Sequence, residues 1–469
     1  MKVLFALTEA DPFIKTGGLG EVGGSLPLAL QEQGVEIRVI LPKYSSIASS
    51  YRQAMKPLGN FTVPLAWRNQ YCGLDELKYQ GIHYYFLDNE YYFRRSKCYG
   101  DEDEGEQYAF FSRAVLESLR YLPDFKPDII HCHDWHTALI PLFLEAFYAQ
   151  DTLYYKLRTL FTIHNLKYQG IFPKETLTDV LGLGWDYFTP EGLEFNGAIN
   201  FMKAGIRYSD RVTTVSPTYA EEIQHLYWGE GLHGVIHERK DSLIGILNGV
   251  PAPKGEHSLA AKRANKKELQ AQLGLLESED IPILCMVSRL VEQKGLDLLL
   301  HILEEILALD IQLIILGSGD PHYEKRIREF RERFPHNFRA LLCYQDDLAQ
   351  SIYAGGDAFL MPSRYEPCGI AQMIAMSYGN IPIVRETGGL KDTVKPYSVT
   401  TGEGNGFTFT HYNAHELLYA IQEAVKMFRE NKAAWQKLQE NALNSEFSWS
   451  RSAAKYYDVY EDVYYFKTK

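Results

Sequence analysis

The sequence predicts an α/β fold with two domains, each a parallel sheet wound by crossover helices. Short β-rich runs alternate with longer helical patterns along the chain, which is typical of such sheets. The runs form two series, separated by a polar stretch rich in lysine and alanine at residues 251–275. With 469 residues, 46% of them hydrophobic, the chain can bury two cores.

The strand candidates are short apolar runs. Those of the first series are Val3–Leu7, Val35–Leu41, Ile82–Leu87, Asp128–Cys132, Thr159–Ile163, Arg211–Val215 and Leu243–Leu247. Those of the second series are Ile281–Val287, Ile311–Leu316, Arg339–Cys343, Ala358–Met361, Ile381–Val384 and Gly406–Phe409. Helical patterns are predicted over 21–33 and 414–442, and an aromatic amphipathic segment over 449–466. The change between the series places a domain boundary near 248–252.

Composition excludes several classes of protein. A net charge of −12 and a pI near 5.7 argue against a nucleic-acid binder or a protein of anionic membranes, because such partners need a basic field. The chain starts without a signal-peptide pattern, and its longest apolar runs are too short to cross a bilayer, so we expect a cytoplasmic protein. The six cysteines have no Cys-x-x-Cys spacing, which favours reduced thiols over disulfides or a zinc site.

A glycine-rich turn follows the first predicted strand. Lys15 to Gly20 reads Lys-Thr-Gly-Gly-Leu-Gly and leads into a helix-compatible segment. Backbone N–H groups at Gly17 and Gly18, the helix N-terminus and the Lys15 charge together suit a phosphate. Taken alone, the turn is equally compatible with a simple tight connection between strand and helix.

Polar residues follow the predicted strands in both series. Ligands of open α/β sheets bind beyond the carboxyl ends of the strands, so this placement predicts a common site, with the two sheets facing each other across a cleft. In the first series these residues are Lys15, His133, Asp134, His136, His164 and Asn248. In the second series they are Arg289, Lys294, Glu366, Cys368, Gly369, Thr387, Gly388 and Gly389.

The two series differ in chemistry. In the second, Arg289, Lys294 and the turn at 387–389 form a cationic, N–H-rich set suited to a diphosphate, and Glu366 can accept hydrogen bonds from sugar hydroxyls, which indicates a nucleotide-sugar donor site. In the first, a mixed set suits a hydroxyl-rich acceptor and the transferring sugar: Lys15, Glu21, Asp134, His136 and His164. Surface ion pairs, a helix cap at Glu366 and a structural His164 remain the alternatives for single residues.

The histidines at 131, 133 and 136 do not predict a metal site. Alternation along a strand is expected to separate the directions of their side chains, and the sequence has no His-Glu-x-x-His motif. We therefore assign no metal.

Motifs of one family are spread along the whole chain. They are Lys15-Thr-Gly-Gly-Leu, His133-Asp-Trp-His, Phe161-Thr-Ile-His164-Asn-Leu-x-Tyr-Gln-Gly170, Gly245-Ile-Leu-Asn-Gly249, Val287-Ser-Arg289-Leu-x-x-Gln-Lys294-Gly-Leu, Tyr353-Ala-Gly-x-Asp357, Pro362-Ser-Arg-x-Glu366-Pro-Cys-Gly369 and Thr387-Gly-Gly-Leu-x-Asp-Thr-Val394. In this order they resemble the motifs of bacterial glycogen synthases and plant starch synthases.

The resemblance implies a fold and an activity. The fold is the GT-B arrangement of two Rossmann-like domains, with residues 1–247 on the acceptor side, 248–445 on the donor side, and 446–469 forming a C-terminal helix that packs on the first domain. The activity is transfer of glucose from ADP-glucose to the non-reducing 4-OH of an α-1,4-glucan with retention of configuration. ADP-glucose is then a substrate, and no cofactor is expected.

The resemblance also implies a role for each matching residue. Arg289 and Lys294 neutralise the departing ADP, and His164 lies against the anomeric centre. Tyr353 lies near the adenine. The remaining donor contacts are Lys15, Gly17, Gly18, Asn248, Glu366, Cys368, Gly369, Thr387, Gly388 and Gly389, and the acceptor side has Glu21, Asp134 and His136.

Three other functions remain open from the sequence. One is a nucleotide-sugar transferase that acts on a small acceptor. Another is a non-catalytic paralogue that binds glucan or nucleotide sugar, suggested by a segment after Asn248 that is shorter than is usual in the family. A dinucleotide oxidoreductase is a weaker alternative, because it would want an acidic residue at the end of the next strand, and Val35–Leu41 instead ends in Pro42-Lys43.

Overall fold

The computed structural model describes residues 1–95, 97–253, 255, 258–343 and 345–465. The chain divides into two units. Unit 1 is Met1–Gly249 together with the C-terminal segment that begins at Trp449, and unit 2 is Val250–Ser448. The predicted boundaries at 247 and 445 lie close to these divisions, and residues 466–469 of the predicted C-terminal helix lie outside the described residues.

The strands are numbered along the chain. Those of unit 1 are β1 (Lys2–Ala6), β2 (Glu36–Pro42), β3 (Lys56–Leu65), β4 (Arg68–Tyr79), β5 (Ile82–Asp88), β6 (Ile129–His133), β7 (Arg158–Ile163), β8 (Ile171–Pro173), β9 (Glu194–Phe195), β10 (Ala198–Asn200), β11 (Arg211–Thr214) and β12 (Leu243–Gly245). Those of unit 2 are β13 (Ile283–Val287), β14 (Gln312–Leu316), β15 (Phe338–Leu341), β16 (Ala358–Met361), β17 (Ile381–Arg385) and β18 (Phe407–Phe409).

The α-helices are numbered in the same way. They are α1 (Gly18–Glu32), α2 (Ser49–Ala54), α3 (Glu90–Phe93), α4 (Glu104–Ser118), α5 (Leu139–Tyr148), α6 (Thr176–Asp179), α7 (Phe201–Tyr208), α8 (Pro217–Glu222), α9 (His233–Glu238), α10 (Leu259–Gln272), α11 (Leu296–His301), α12 (Leu303–Leu307), α13 (Pro321–Arg333), α14 (Asp346–Gly355), α15 (Ala371–Ser377), α16 (Gly388–Thr393), α17 (Ala414–Glu430), α18 (Lys432–Leu443) and α19 (Trp449–Tyr465). Short 3₁₀ helices lie at Trp135–Thr137, Trp185–Tyr187, Lys240–Ser242 and Glu292–Lys294.

Each unit is built on one large sheet. In unit 1 the strand order is β12-β11-β7-β6-β1-β2-β5-β4-β3, parallel except for β4 and β3, which are antiparallel at one edge. In unit 2 the order is β15-β14-β13-β16-β17-β18, and every neighbouring pair is parallel. The central strands are buried on both faces, which explains why they read as continuous apolar runs in the sequence. The predicted α/β class with two parallel sheets is confirmed.

The structure adds strands that the sequence analysis did not predict. The β3–β4 hairpin extends the sheet of unit 1, and a small antiparallel sheet of order β8-β10-β9 lies apart from it. Pro57, Gly59 and Pro64 interrupt the apolar alternation of β3, as an edge strand permits. The helical pattern predicted over 414–442 is two helices, because the Asn431 side chain accepts a hydrogen bond from Ala434 N (3.0 Å) and starts α18.

The last helix of the chain belongs to unit 1. Helix α19 packs against α1 and β7. Its Tyr460 hydroxyl lies 2.7 Å from His131 Nδ1 in β6. No helix in the described ranges is both long and apolar enough to span a bilayer.

Candidate active site

The glycine-rich turn joins β1 to α1 and carries Lys15 at the carboxyl edge of the unit 1 sheet. Gly17 precedes the first turn of α1 in an extended conformation, and a Cβ atom placed on it would meet nothing within 4 Å. Lys15 Nζ lies 2.6 Å from Glu21 Oε2 and 3.1 Å from Asp11 Oδ2. Partial burial acts to lower the pKa of Lys15, but the hydrogen bond and charge of Glu21, helped by Asp11, outweigh it and raise that pKa. The Lys15 side chain therefore carries a full positive charge.

Glu9, which the sequence analysis missed, holds this turn in place. Its side chain is buried and accepts hydrogen bonds from Thr16 N (2.5 Å), Thr16 Oγ1 (2.7 Å) and Gly17 N (3.2 Å). The Tyr99 hydroxyl donates a further hydrogen bond at 2.6 Å. An acidic residue just after the first strand was the only sequence signal, and nothing in the sequence shows that it bonds residues seven and eight positions later.

Asp134 and His164 lie together at the ends of β6 and β7. Asp134 Oδ1 accepts a hydrogen bond from the backbone N–H of His164 at 2.8 Å. Asp134 has a φ of 55°, a strained value for a residue other than glycine, and its backbone N donates to Thr162 O at 2.9 Å. Burial raises the pKa of Asp134 to about 7 and lowers the pKa of His164 to about 3. The His164 ring is therefore neutral at physiological pH.

His131 and His133 correct one expectation. They are two positions apart on β6, so alternation places them on the same side of the sheet, and their ring centroids lie 4.0 Å apart. His133 Nδ1 in turn lies 2.9 Å from His164 Nε2. His136 is directed elsewhere, into a cluster with Trp135, where burial lowers its pKa to about 3.

The residues predicted for the acceptor side differ in their contacts and in their exposure. Glu21 is the partner of Lys15, and the Asp134 carboxylate holds the backbone of His164. His136 is only 8% exposed, so its ring offers little surface to a ligand in this structure. Asn248, which follows β12, is also buried, and its Oδ1 has no hydrogen-bond partner within the described ranges. A buried amide oxygen left unpaired suits a group that a ligand hydroxyl completes.

In unit 2, Lys294 and Glu366 form an ion pair between the segments that follow β13 and β16. Lys294 Nζ lies 2.6 Å from Glu366 Oε2, which also accepts a hydrogen bond from Ser363 Oγ at 3.0 Å. Glu366 is 6% exposed. Arg289, near the end of β13, is exposed. The structure therefore brings Lys294 and Glu366 together and leaves the Arg289 side chain in solvent.

The Thr387-Gly-Gly turn packs directly on the segment that contains Glu366. Gly389 N donates to Glu366 O at 3.1 Å, and a Cβ on Gly389 would come within 2.0 Å of Cys368 O. Gly388 has a φ of 44°, and its Cβ would lie 2.1 Å from Glu366 O. Only glycine allows this contact. Gly369, at φ 70°, follows the buried Cys368. The predicted donor residues 366, 368, 369 and 387–389 therefore form one cluster.

Tyr353 does not lie with this cluster, which contradicts its predicted place beside the adenine. It is near the end of α14, which runs from the carboxyl edge of the sheet back to the amino edge, where Asp357 N donates to Ile283 O at the start of β13. Its ring is buried against Phe359, with centroids 5.3 Å apart. The motif match did not reveal at which edge of the sheet Tyr353 lies.

Among the residues that the structure describes, no group of three or more His, Cys, Asp or Glu side chains is arranged to hold a metal ion. All six cysteines are free thiols.

Two protein-family models match this chain, and together they span most of both units. The family model described as "Starch synthase catalytic domain" matches residues 2–238. The model described as "Glycosyl transferases group 1" matches residues 266–442.

Known relatives match over nearly their full lengths. A glycogen synthase of Desulfitobacterium hafniense is 75% identical over 465 residues, covering 99% of this chain and 100% of that protein. A glycogen synthase of Desulforamulus reducens is 51% identical, with 99% of both chains covered.

Two solved structures also match this chain over nearly its full length. The catalytic domain of starch synthase IV from Arabidopsis thaliana, bound to ADP and acarbose, matches with a TM-score of 0.90 and 34% identity over 99% of both chains. A sucrose-phosphate synthase from Thermosynechococcus elongatus matches with a TM-score of 0.65 at 17% identity over 99% of both chains, a likeness of fold alone.

Proposed function

Because this chain belongs to the family of bacterial glycogen synthases and plant starch synthases, we propose that it transfers glucose from ADP-glucose to the non-reducing 4-OH of an α-1,4-glucan, with retention of configuration. The observation that carries the proposal is the cluster in unit 2, where Lys294, Glu366 and the Thr387-Gly-Gly turn lie together. It combines a cation for a diphosphate with a carboxylate for sugar hydroxyls, and the turn packs on the segment that carries this carboxylate.

The leaving group determines what the cations do. Breaking the bond between glucose and phosphate builds negative charge on ADP and positive charge on the sugar ring. Fixed cations at the phosphates stabilise that charge without having to reorganise during the reaction. We assign this role to Arg289 and Lys294, and we propose that their charges serve in place of a metal ion or other cofactor.

Lys294 can serve both its present partner and a phosphate. An ammonium group has three N–H donors, and Glu366 takes one of them. Glu366 accepts from Lys294 and Ser363 through Oε2, which leaves Oε1 for a sugar hydroxyl. In this proposal the ion pair fixes the carboxylate that orients glucose and the cation that meets the phosphate.

Unit 1 supplies the groups proposed for the sugar and the acceptor. Lys15 brings a positive charge next to the exposed backbone of Gly17 and Gly18. His164 is neutral, because burial lowers its pKa to about 3, so it contributes a hydrogen bond rather than a charge. The unpaired Oδ1 of Asn248 is proposed to accept from a glucose hydroxyl.

The proposed retention of configuration does not require a nucleophile from the enzyme. A retaining glycosidase uses two carboxylates, one of which forms a covalent intermediate with the sugar. Here Glu366 is paired with Lys294, so we assign it to orienting the sugar. We propose that the acceptor hydroxyl attacks on the face that ADP leaves and passes its proton to the departing phosphate.

The test is nucleotide release by the purified full-length protein. ADP-glucose or UDP-glucose is supplied with and without maltooligosaccharide, and release is compared between wild type, Lys294→Ala and the control Lys426→Ala, an exposed lysine of α17. We expect glucan-dependent release from ADP-glucose that Lys294→Ala removes and Lys426→Ala keeps. Release that does not depend on the glucan, or that occurs equally in all three proteins, would contradict the proposal.

A further inference from the structure

We propose that His133 is a positioning residue that fixes the proton of His164. In this inference His133 donates Nδ1–H to His164 Nε2, so the His164 proton lies on Nδ1 and its free edge is a hydrogen-bond donor. The inference rests on the proposed function only where it gives His164 a contact with the sugar. The placement of the proton itself does not depend on the proposed function.

The two rings are in direct contact. His133 Nδ1 lies 2.9 Å from His164 Nε2, a hydrogen-bond distance, and the ring centroids are 5.2 Å apart. His133 is the last residue of β6, and His164 directly follows the neighbouring strand β7. The register of two parallel strands therefore sets this contact.

Packing prevents His133 from turning away. Its side chain is fully buried. The ring lies between Phe5, with centroids 4.1 Å apart, and His131, with centroids 4.0 Å apart. His131 is itself held at both nitrogens, by the Tyr460 hydroxyl at 2.7 Å and by Thr162 Oγ1 at 2.6 Å. Three strands and α19 thus hold the donor ring in one orientation.

The proton can be assigned because each ring is neutral and has a single N–H. Burial lowers the pKa of both histidines, which agrees with neutral rings. His133 Nε2 is buried and has no hydrogen-bond partner among the described residues. A proton there would create a buried N–H with nothing to bond, which is rare in proteins and costly. The proton of His133 therefore lies on Nδ1, where His164 accepts it.

The assignment determines what His164 offers a ligand. Its Nε2 accepts from His133, so its own proton must be on Nδ1. The backbone N–H of His164 is fixed by Asp134 Oδ1 at 2.8 Å, and the residue is partly exposed. His164 therefore presents an N–H to a hydroxyl oxygen, and it does not act as a base at that edge.

Two variants and one spectrum test the inference. Protein labelled with ¹⁵N-histidine is examined by two-bond ¹H–¹⁵N correlation, which distinguishes Nδ1–H from Nε2–H rings. The variants are His133→Leu, which removes the donor, and His133→Asn, whose side-chain amide can place an N–H where Nδ1 was. His411→Asn, at an exposed histidine of unit 2, is the control.

We expect wild-type His164 in the Nδ1–H form. In His133→Leu it should shift toward Nε2–H, and turnover should fall about tenfold, the effect of losing one well-oriented hydrogen bond. His133→Asn should retain the tautomer and most of the turnover. If His133→Leu does not fold, the wild-type spectrum and His133→Asn still decide the question.

Two outcomes would overturn the inference. One is a wild-type His164 in the Nε2–H form, and the other is an unchanged His164 tautomer in a folded His133→Leu protein. If the tautomer shifts as expected while turnover stays constant, the proton assignment is supported. The same result would contradict the proposed contact between His164 and the sugar.

Discussion

Lys294 Nζ lies 2.6 Å from Glu366 Oε2, and this ion pair connects the segments after β13 and β16 in unit 2. Both side chains are largely buried, with 15% and 8% of their surfaces exposed. Removing either partner leaves the other without its counter-charge, so this pair contributes to stability as well as to the proposed chemistry.

Lys294→Ala is expected to reduce both turnover and stability. Turnover should fall about 100-fold or more, because the proposed cation acts on charge that develops in the transition state. The free energy of unfolding should fall by about 1–3 kcal/mol, because the buried Glu366 loses its charged donor and keeps only the Ser363 hydroxyl. The double variant Lys294→Ala/Glu366→Gln should recover part of the stability and none of the turnover. Turnover that recovers together with stability would show that Lys294 has only a structural role. Steady-state ADP release and urea denaturation measure the two effects.

Arg289→Ala is expected to separate the two effects. The Arg289 side chain is exposed, so its loss should change the free energy of unfolding by no more than about 0.5 kcal/mol. Turnover should still fall by about 100-fold, because the guanidinium is assigned to the departing diphosphate. Exposed Arg263→Ala on α10 serves as the matched control. An Arg289→Ala protein with normal turnover would remove the proposed leaving-group role.

Alanine substitutions at two glycines should have different effects, because one glycine is next to open space and the other is tightly packed. A Cβ at Gly17 meets no atom within 4 Å, whereas a Cβ at Gly389 would come 2.0 Å from Cys368 O. Gly17→Ala should therefore fold normally and raise the KM for the nucleotide sugar, because the methyl group takes space next to Lys15. Gly389→Ala should lose about 2 kcal/mol or more of stability through overpacking. Thermal unfolding and initial rates over a range of donor concentrations measure both; an unchanged KM in Gly17→Ala would place the donor elsewhere.

The buried carboxyl group of Asp134 predicts a pH-dependent stability. Its pKa is raised from 3.8 to about 7, so between these values the folded protein binds a proton that the unfolded chain has released. Stability from this group is therefore present at low pH and is lost as the pH rises toward 7. Relative to Asp134→Asn, whose side-chain oxygen can still accept from His164 N, wild type should lose about 3 kcal/mol between pH 4.5 and 7.5. Urea denaturation at several pH values measures this difference, and a difference that does not vary with pH would contradict it.

The sequence was sufficient for the parallel core strands because both faces of such strands are buried, as in β1 and β13. It was not sufficient for the β3–β4 hairpin, where prolines and Gly59 break the pattern, or for the break between α17 and α18 at Asn431. These features depend on edge position and on a side-chain cap, and neither has a strong signal in a helical or apolar pattern.

For the site, the sequence predicted which residues follow the strand ends, but it did not predict most of the contacts between their side chains. Lys294 and Glu366 were assigned to one site from their positions after two strands, and the structure places them in contact. Tyr353 was assigned by motif alone, and the structure places it near the opposite edge of the sheet. Glu9 was missed, and the contact between His133 and His164 was not predicted, because these contacts cross the turn or the sheet and a linear pattern does not contain them.

The most direct test of the proposed reaction is the linkage of the product. The purified protein is incubated with ADP-[¹³C]glucose and maltotetraose, and the product is examined by ¹³C NMR. We predict a labelled glucose in α-1,4 linkage at the non-reducing end, formed by wild type and not by Lys294→Ala. Label released as free glucose, joined in β configuration or attached at another hydroxyl would contradict the account.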